Sequence, residues 1–316
     1  MKRIVALMLC LAVLMGTGNA LAASWPLLYE VRDDQDHVIY LLGTIHVGKE
    51  STYPLSRPVE DAYAAADVLA VEVDLYRFMK NPLNSIKYTL ALMYGLGDSI
   101  QNHISPETYA LGVETLGMPE VALRLYRPMA WLSLAENQVY ERAGFSSDYG
   151  VDLHLSQRAQ ADGKRLDELE SMDFQLSLMA RLPDDVIDAM LYRTMKYPEL
   201  ESLAIQRLYH AWKLGSEWWL ARLLSQDGGA ESQEMADSYT AYEAALLTDR
   251  NAGFEEKAVA YLEKGETALI AIGAAHIVGD DGLAARLRRA GYEVKEIGRP
   301  FGVAAPGGDE ENERGR

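Results

Sequence analysis

Two short segments far apart in the chain each place a histidine three residues after a glycine. Residues 43–46 (Gly-Thr-Ile-His) follow the apolar run 38–42, and residues 273–276 (Gly-Ala-Ala-His) follow the apolar run 268–272. Both runs predict buried strands, and open α/β sheets bind their ligands at the ends of strands. His46 and His276 can therefore act together only if the fold brings both strands into one sheet.

A carboxylate completes a candidate metal site. Glu72 lies at the end of a third apolar run, residues 68–73, where a charge is costly unless a cation meets it. Two imidazoles and one carboxylate are a common ligand set for first-row divalent ions. The sequence thus predicts that His46, Glu72 and His276 hold a metal if their strands are neighbours. Any one of the three alone is better explained as a structural core or loop residue.

The common catalytic motifs are absent from the sequence. Residues 43–49 match most of a phosphate-binding loop, but Glu50 stands where that loop needs the serine or threonine that binds magnesium. The chain contains no His-Glu-x-x-His and no Gly-x-Ser-x-Gly. The four other histidines have no partner pattern and are interpreted as surface or turn residues: His37, His103, His154 and His210.

Composition excludes one broad class of partner. The 316 residues carry a formal net charge of -17. So acidic a chain repels phosphate backbones, and no basic face interleaved with aromatic residues offsets that repulsion. Nucleic acid is therefore not an expected partner, whereas a peptide or another small substrate is. The sequence leaves the oligomeric state open.

The N-terminus is typical of a secretory signal peptide. Lys2 and Arg3 precede an apolar stretch from Ile4 to Met15, and the small residues around Ala22 fit a cleavage site. The apolar stretch is well short of the roughly 20 residues that span a bilayer. We therefore expect residues 1–22 to be removed and the mature protein to be periplasmic or secreted, with no stable membrane insertion. The single cysteine, Cys10, lies inside this signal, so no disulfides are expected.

The patterning predicts an α/β fold with a mixed sheet and a large helical insertion. A hairpin (27–42), a strand ending at Glu72, a β-α-β arrangement over 267–297 and an isolated strand near 164–169 indicate the sheet. Helical periodicity dominates from about 81 to 241. We expect one α/β domain over 23–305 with this insertion or cap, and a disordered Gly-rich, charged tail over 306–316.

Several ordered blocks resemble the TraB/GumN family over nearly the whole predicted mature chain. The blocks are residues 43–48 (Gly-Thr-Ile-His-Val-Gly), 71–74 (Val-Glu-Val-Asp), 150–155 (Gly-Val-Asp-Leu-His-Leu), 163–164, 169–170, 249–251 (Asp-Arg-Asn) and 273–276, with glycines at 279, 282 and 291.

The resemblance implies a fold shared with the TIKI metalloproteases and, more remotely, with erythromycin-esterase-like and ChaN-like proteins. TIKI proteins are manganese- or cobalt-dependent peptidases with two Gly-x-x-His motifs and an acidic residue. His46 and His276 match the two histidines and Glu72 the acidic position, while Glu170 and Arg250 fall in matching blocks. The implied cofactor is manganese or cobalt, with zinc as an alternative.

Two functions fit these observations. The first is an exported divalent-metal-dependent hydrolase that acts on peptides or protein N-termini. In it Glu170 would shuttle a proton and Arg250 would stabilise the oxyanion. The second is a non-catalytic protein that sequesters a peptide or small ligand in the same cleft, because other relatives are described as inhibitors or sequesterers of peptide pheromones. The two histidines together with Glu72 favour the hydrolase.

Overall fold

The computed structural model describes residues 24–224 and 233–297. Its strands form one six-stranded sheet in the order β4-β3-β5-β2-β1-β6. The predicted signal peptide and the predicted C-terminal tail lie outside the described residues. The strands are β1 (Leu28–Arg32), β2 (Val38–Thr44), β3 (Val68–Val71), β4 (Arg165–Glu168), β5 (Ala268–Gly273) and β6 (Glu293–Glu296).

The sheet is parallel through its centre and antiparallel at one side. β3 pairs in parallel with β4 and β5, and β5 pairs in parallel with β2. β1 pairs antiparallel with β2, forming the predicted hairpin, and with β6. Because β2, β3 and β5 run in the same direction, their C-terminal ends meet at one edge. There Thr44 of β2 lies opposite Gly273 of β5.

Helices make up most of the remaining described chain. Their bounds are α1 (Arg57–Ala65), α2 (Leu75–Lys80), α3 (Pro82–Ala91), α4 (Pro106–Thr115), α5 (Glu120–Leu123), α6 (Pro128–Arg142), α7 (Val151–Asp162), α8 (Met172–Met179), α9 (Asp184–Lys196), α10 (Pro198–Lys213), α11 (Glu217–Leu224), α12 (Gln233–Leu246), α13 (Thr248–Glu263) and α14 (Leu283–Arg289).

Two apolar clusters stabilise the molecule. The larger one surrounds the sheet, and every residue of β3 and β5 is buried in it. Strands covered on both faces are near-continuous apolar runs, which explains why the sequence pattern located them well. The second cluster lies among the helices and includes the fully buried Trp131 and Leu191.

Two details of the architecture go beyond what the sequence pattern predicted. Within the region of predicted helical periodicity, α5 and α6 are separate helices, because Pro128 begins a new helix at a position where its missing N–H is tolerated. The strand predicted after α14 does form, but β6 pairs with β1 on the far side of the sheet, not next to β5. Among the described helices, none has the length and apolar character needed to cross a membrane.

Candidate functional site

The loops that follow β2, β3 and β5 bring three predicted site residues to one edge of the sheet. A Cβ atom placed on Gly273 would lie 3.3 Å from Glu72 Oε1, 3.7 Å from His276 Cδ2 and 3.8 Å from His46 Nε2. The three side chains therefore surround the space above this glycine. A side chain at position 273 would fill that space, so glycine keeps it open.

His276 is neutral at neutral pH, and its Nε2 carries no proton. It is 4% exposed, and its Nδ1 lies 2.8 Å from Asn251 Oδ1 on α13. Asn251 Nδ2 donates to the Asp281 carbonyl oxygen, which orients Oδ1 toward the ring as an acceptor. His276 Nδ1–H therefore donates, leaving Nε2 free. Burial lowers the pKa of His276 to about 4, so the Nε2 lone pair is available at neutral pH.

His46 forms a hydrogen bond with a carboxylate and, unlike His276, is protonated at neutral pH. Its Nδ1 lies 2.8 Å from Asp152 Oδ2 on α7, and the other Asp152 oxygen accepts from Thr44 Oγ1. The negative charge of Asp152 raises the pKa of His46 to about 9. The His46 side chain is 65% exposed, so water screens the pair and its contribution to stability is small. Nε2 must lose its proton before it can bind a metal.

An arginine lies between two buried carboxylates next to the histidines. Arg250 Nη2 is 2.5 Å from Glu72 Oε2 and 2.7 Å from Glu170 Oε2, and Arg250 Nε is 2.9 Å from Glu170 Oε1. Gln175 Nε2 donates to both carboxylates at 3.1 and 3.2 Å, and the Gly273 N–H donates to Glu72 Oε1 at 2.7 Å. Every oxygen of the two carboxylates thus accepts a hydrogen bond.

Glu72 is ionised in spite of its burial. Burial alone would raise its pKa, but the nearby positive charges and the Gly273 N–H lower the pKa of Glu72 to about 2. His276 is neutral at neutral pH, so its charge cannot be the cause there. Arg250 and the protonated His46 supply the positive charge that keeps Glu72 ionised.

The donor set fits a divalent metal at the two imidazoles. Each histidine has a fixed Nδ1 partner and a free Nε2, which is the arrangement that orients metal-binding histidines in proteins. Glu72 is the least free of the predicted ligands, because Arg250 and Gly273 hold both of its oxygens. Within residues 24–224 and 233–297, no three His, Cys, Asp or Glu side chains are arranged as a metal-binding group.

All five predicted site residues lie in this region, whereas three others were not singled out from the sequence. The missed residues are Asp152, Asn251 and Gln175, which orient His46, His276 and the two carboxylates. Asp152 and Asn251 lie inside the blocks 150–155 and 249–251, and this membership was the signal in the sequence. In the structure each is a buried polar residue on a helix. Nothing in the sequence distinguishes Gln175.

The site can be compared with known proteins. A model of the TraB/PrgY/gumN family matches residues 27–296. An uncharacterized protein, YbaP of Escherichia coli (strain K12), is 25% identical over 273 residues, covering 84% of this chain and 93% of YbaP. YbaP of Shigella flexneri, also uncharacterized, is similar to the same extent. No solved structure matches the chain.

Proposed function

The chain belongs to the TraB/PrgY/gumN family, and from that premise we propose that it is an exported, divalent-metal-dependent hydrolase of peptide bonds. One observation carries the proposal: the free Nε2 of His46, the ring of His276 and the ionised Glu72 meet above Gly273. Two imidazoles whose Nδ1 atoms are held by an acceptor, with Nε2 left without a partner, have the arrangement of metal-binding histidines in proteins.

His46 and His276 would hold the metal through Nε2, with Glu72 as the third donor. Manganese or cobalt is the expected ion by resemblance, and zinc is the alternative. A bound divalent ion would lower the pKa of a water molecule and polarise the scissile carbonyl. Asp152 and Asn251 accept a hydrogen bond from Nδ1 of the two rings. These bonds orient the rings and leave Nε2 as the nitrogen that would bind the metal.

Glu170 and Arg250 act beside the histidines. Both oxygens of Glu170 accept from Arg250, so we assign Glu170 mainly to orienting the guanidinium rather than to carrying a proton. Arg250 places a positive charge where the oxygen of a peptide carbonyl becomes negative during attack. Its side chain is 9% exposed, so solvent screens that charge little, although the adjacent Glu72 and Glu170 offset part of it.

Metal binding tests the proposal directly. We expect the mature wild-type protein to bind manganese or cobalt stoichiometrically, and His46→Ala or His276→Ala to lose that binding. Asp152→Asn should weaken it by about 10-fold to 100-fold, because the Nδ1 acceptor loses its charge. Calorimetric titration and elemental analysis measure both effects. His210→Ala, which removes an exposed imidazole outside the site, is the matched control.

Cleavage distinguishes the hydrolase from the sequestering protein. The wild type should cleave members of a peptide library when manganese, cobalt or zinc is supplied, and His276→Ala should not. A wild type that binds no metal and cleaves nothing, yet retains a peptide, would contradict the hydrolase and favour capture.

Export is part of the same proposal. The apolar stretch after Lys2 and Arg3 motivates it, because this pattern directs secretion and is then removed. Mature protein from a native-like host should begin at Ala23 or within a residue or two of it. Mass spectrometry that finds an intact Met1 on the exported protein would contradict the prediction.

A further inference from the structure

A separate cavity lies among the helices that surround the second apolar cluster. It has a volume of about 280 Å³ and is bordered by the ends of α3 and α8 and the beginnings of α6 and α9. This is slightly less than the roughly 300–1,000 Å³ of a small-molecule site, so it has room for one or two side chains. Its apolar lining includes Leu92, Met129, Leu176, Met179, Leu182 and Ile187.

Polar residues are confined to one part of this lining. The ring of His103 stacks on Tyr94 with centroids 4.7 Å apart. His103 Nε2 lies 3.0 Å from Asp98 Oδ2, and His103 Nδ1 lies 2.8 Å from Asp184 Oδ2. Both ring nitrogens therefore donate to carboxylates, so the single positive charge of His103 lies between two negative charges.

Arg127 is an exposed residue that supplies a second positive charge to this part of the lining. Its guanidinium carbon lies 4.9 Å from the centroid of the Tyr94 ring, and its Nε donates to the Met93 carbonyl oxygen at 3.2 Å. In the part of the chain that the structure describes, Arg127 forms no ion pair with a carboxylate. An apolar cavity whose lining includes a guanidinium without a carboxylate partner suits an apolar group that carries a carboxylate.

Helix α8 connects this cavity to the candidate site. Gln175 contacts Glu72 and Glu170, and Met179, four residues later on the same side of the helix, lines the cavity. Four helical residues rise about 6 Å along the axis. An extended peptide spans about 3.3 to 3.6 Å per residue, so about two residues cover the rise from Gln175 to Met179.

We propose that the cavity binds the C-terminal residue of a peptide, with its apolar side chain against Met179 and Leu176 and its α-carboxylate on Arg127. The assignment of this peptide as substrate rests on the proposed function. The cavity then selects peptides whose last residue is apolar, and it positions a bond a few residues earlier at the histidines.

Binding of synthetic octapeptides tests the inference without requiring cleavage. Three peptides of otherwise equal sequence end in leucine with a free carboxylate, in leucine amide, or in serine with a free carboxylate. Calorimetry is carried out on the full-length mature protein in a chelating buffer. We expect the leucine acid to bind at least about tenfold more tightly than the other two, because each of them loses one of the two contacts.

Two variants assign the contacts to residues. Arg127→Gln should abolish the preference for the acid over the amide, and Met179→Gln should abolish the preference for leucine over serine. Arg124→Gln is the control for charge, because Arg124 is exposed three residues away and does not line the cavity. Circular dichroism and the thermal midpoint check that each variant is folded.

Each negative result has a distinct meaning. Equal binding of acid and amide, or an unchanged preference in folded Arg127→Gln, overturns the cavity assignment even if the protein cleaves peptides. Decanoate that binds in an Arg127-dependent manner while no peptide does also overturns it, in favour of a fatty acid. Absence of cleavage with any metal, while the Arg127-dependent preference is present, contradicts the hydrolase and leaves the cavity assignment supported.

Discussion

Two pairs of buried or half-buried carboxylates in this molecule lie in different electrostatic surroundings. At the sheet edge, Glu72 and Glu170 lie on either side of Arg250, which donates to both. Among the helices, Glu136 and Glu201 line a cavity of about 240 Å³, and no hydrogen bond or ion pair to Glu136 occurs within residues 24–224 and 233–297. The pKa of Glu72 falls to about 2, whereas burial raises the pKa of Glu136 to about 7.

The difference shows that burial alone does not set the charge of a carboxylate. Desolvation acts on both Glu72 and Glu136, but only Glu72 has a guanidinium and an N–H arranged around it. The fixed positive charge beside Glu72 keeps the Glu72 carboxylate ionised, which is the form that can bind a metal. Glu136 instead changes its protonation near neutral pH.

The largest expected effect comes from removing the cation of the first pair. Arg250→Met leaves Glu72 and Glu170 buried and uncompensated, which should lower the free energy of unfolding by about 3–5 kcal/mol. Urea denaturation at pH 7 measures it. Added manganese should restore part of the loss if a divalent cation can take the place of the guanidinium between the carboxylates.

The control for this prediction is an exposed ion pair. Arg289→Met removes a 3.5 Å contact with Asp281, and the Arg289 side chain is 57% exposed. The loss should be less than about 0.5 kcal/mol. Equal losses in the two variants would show that Arg250 does not stabilise the buried pair.

A smaller effect, with a defined pH dependence, is expected at the second pair. The pKa of Glu136 is about 7 in the folded protein and its ordinary value is 4.5, chiefly because burial disfavours the charged form, with a smaller contribution from Glu201. The folded state therefore retains a proton that the unfolded state releases between these values. Stability should be full below about pH 4.5, fall as the pH rises to about 7, and then level off.

Glu136→Gln tests this pH dependence, because glutamine does not ionise. At pH 8 the variant should be more stable than the wild type by about 1–3 kcal/mol, and at pH 4.5 the two should be nearly equal. The other charged groups that line the cavity, Glu201 and Arg207, are unchanged by the substitution. Parallel denaturation curves whose difference does not vary between pH 4.5 and 8 would contradict the assignment to Glu136.

The comparison also explains how far the sequence could predict the site. The runs before Gly43, Glu72 and Gly273 are apolar because β3 and β5 are buried on both faces and β2 is buried in its second half, so periodicity located these strands and the loops after them. It could not predict that Asp152, 106 residues from His46, would be the acceptor for its ring. That pairing depends on how α7 packs, which no local pattern specifies.

Elements whose pattern conflicts with their surroundings were predicted only in outline, without their bounds or their neighbours. Helix α3 has no buried residue, although Leu83, Ile86 and Leu90 are apolar and 56–70% exposed. Its apolar residues do not face a core, so amphipathic periodicity gave no clear helix there. Likewise, the pattern of β6 predicted a strand but not its neighbour, because pairing with β1 depends on the long-range order of the sheet.

The smallest expected effect concerns the cation nearest to the second pair. Arg193 Nε lies 2.8 Å from Glu201 Oε1, and the two side chains are 49% and 23% exposed. Arg193→Met should therefore lower the free energy of unfolding by only about 0–1 kcal/mol at pH 8. At pH 4.5 the loss should be smaller still, because protonated Glu136 no longer repels Glu201. A double-mutant cycle with Glu136→Gln at pH 8 measures the coupling between the two residues. Arg193→Met should lower the free energy of unfolding less in the Glu136→Gln background than in the wild type. A loss of several kcal/mol, comparable to that of Arg250→Met, would mean that the two carboxylate pairs are stabilised in the same way and that the contrast between them is wrong.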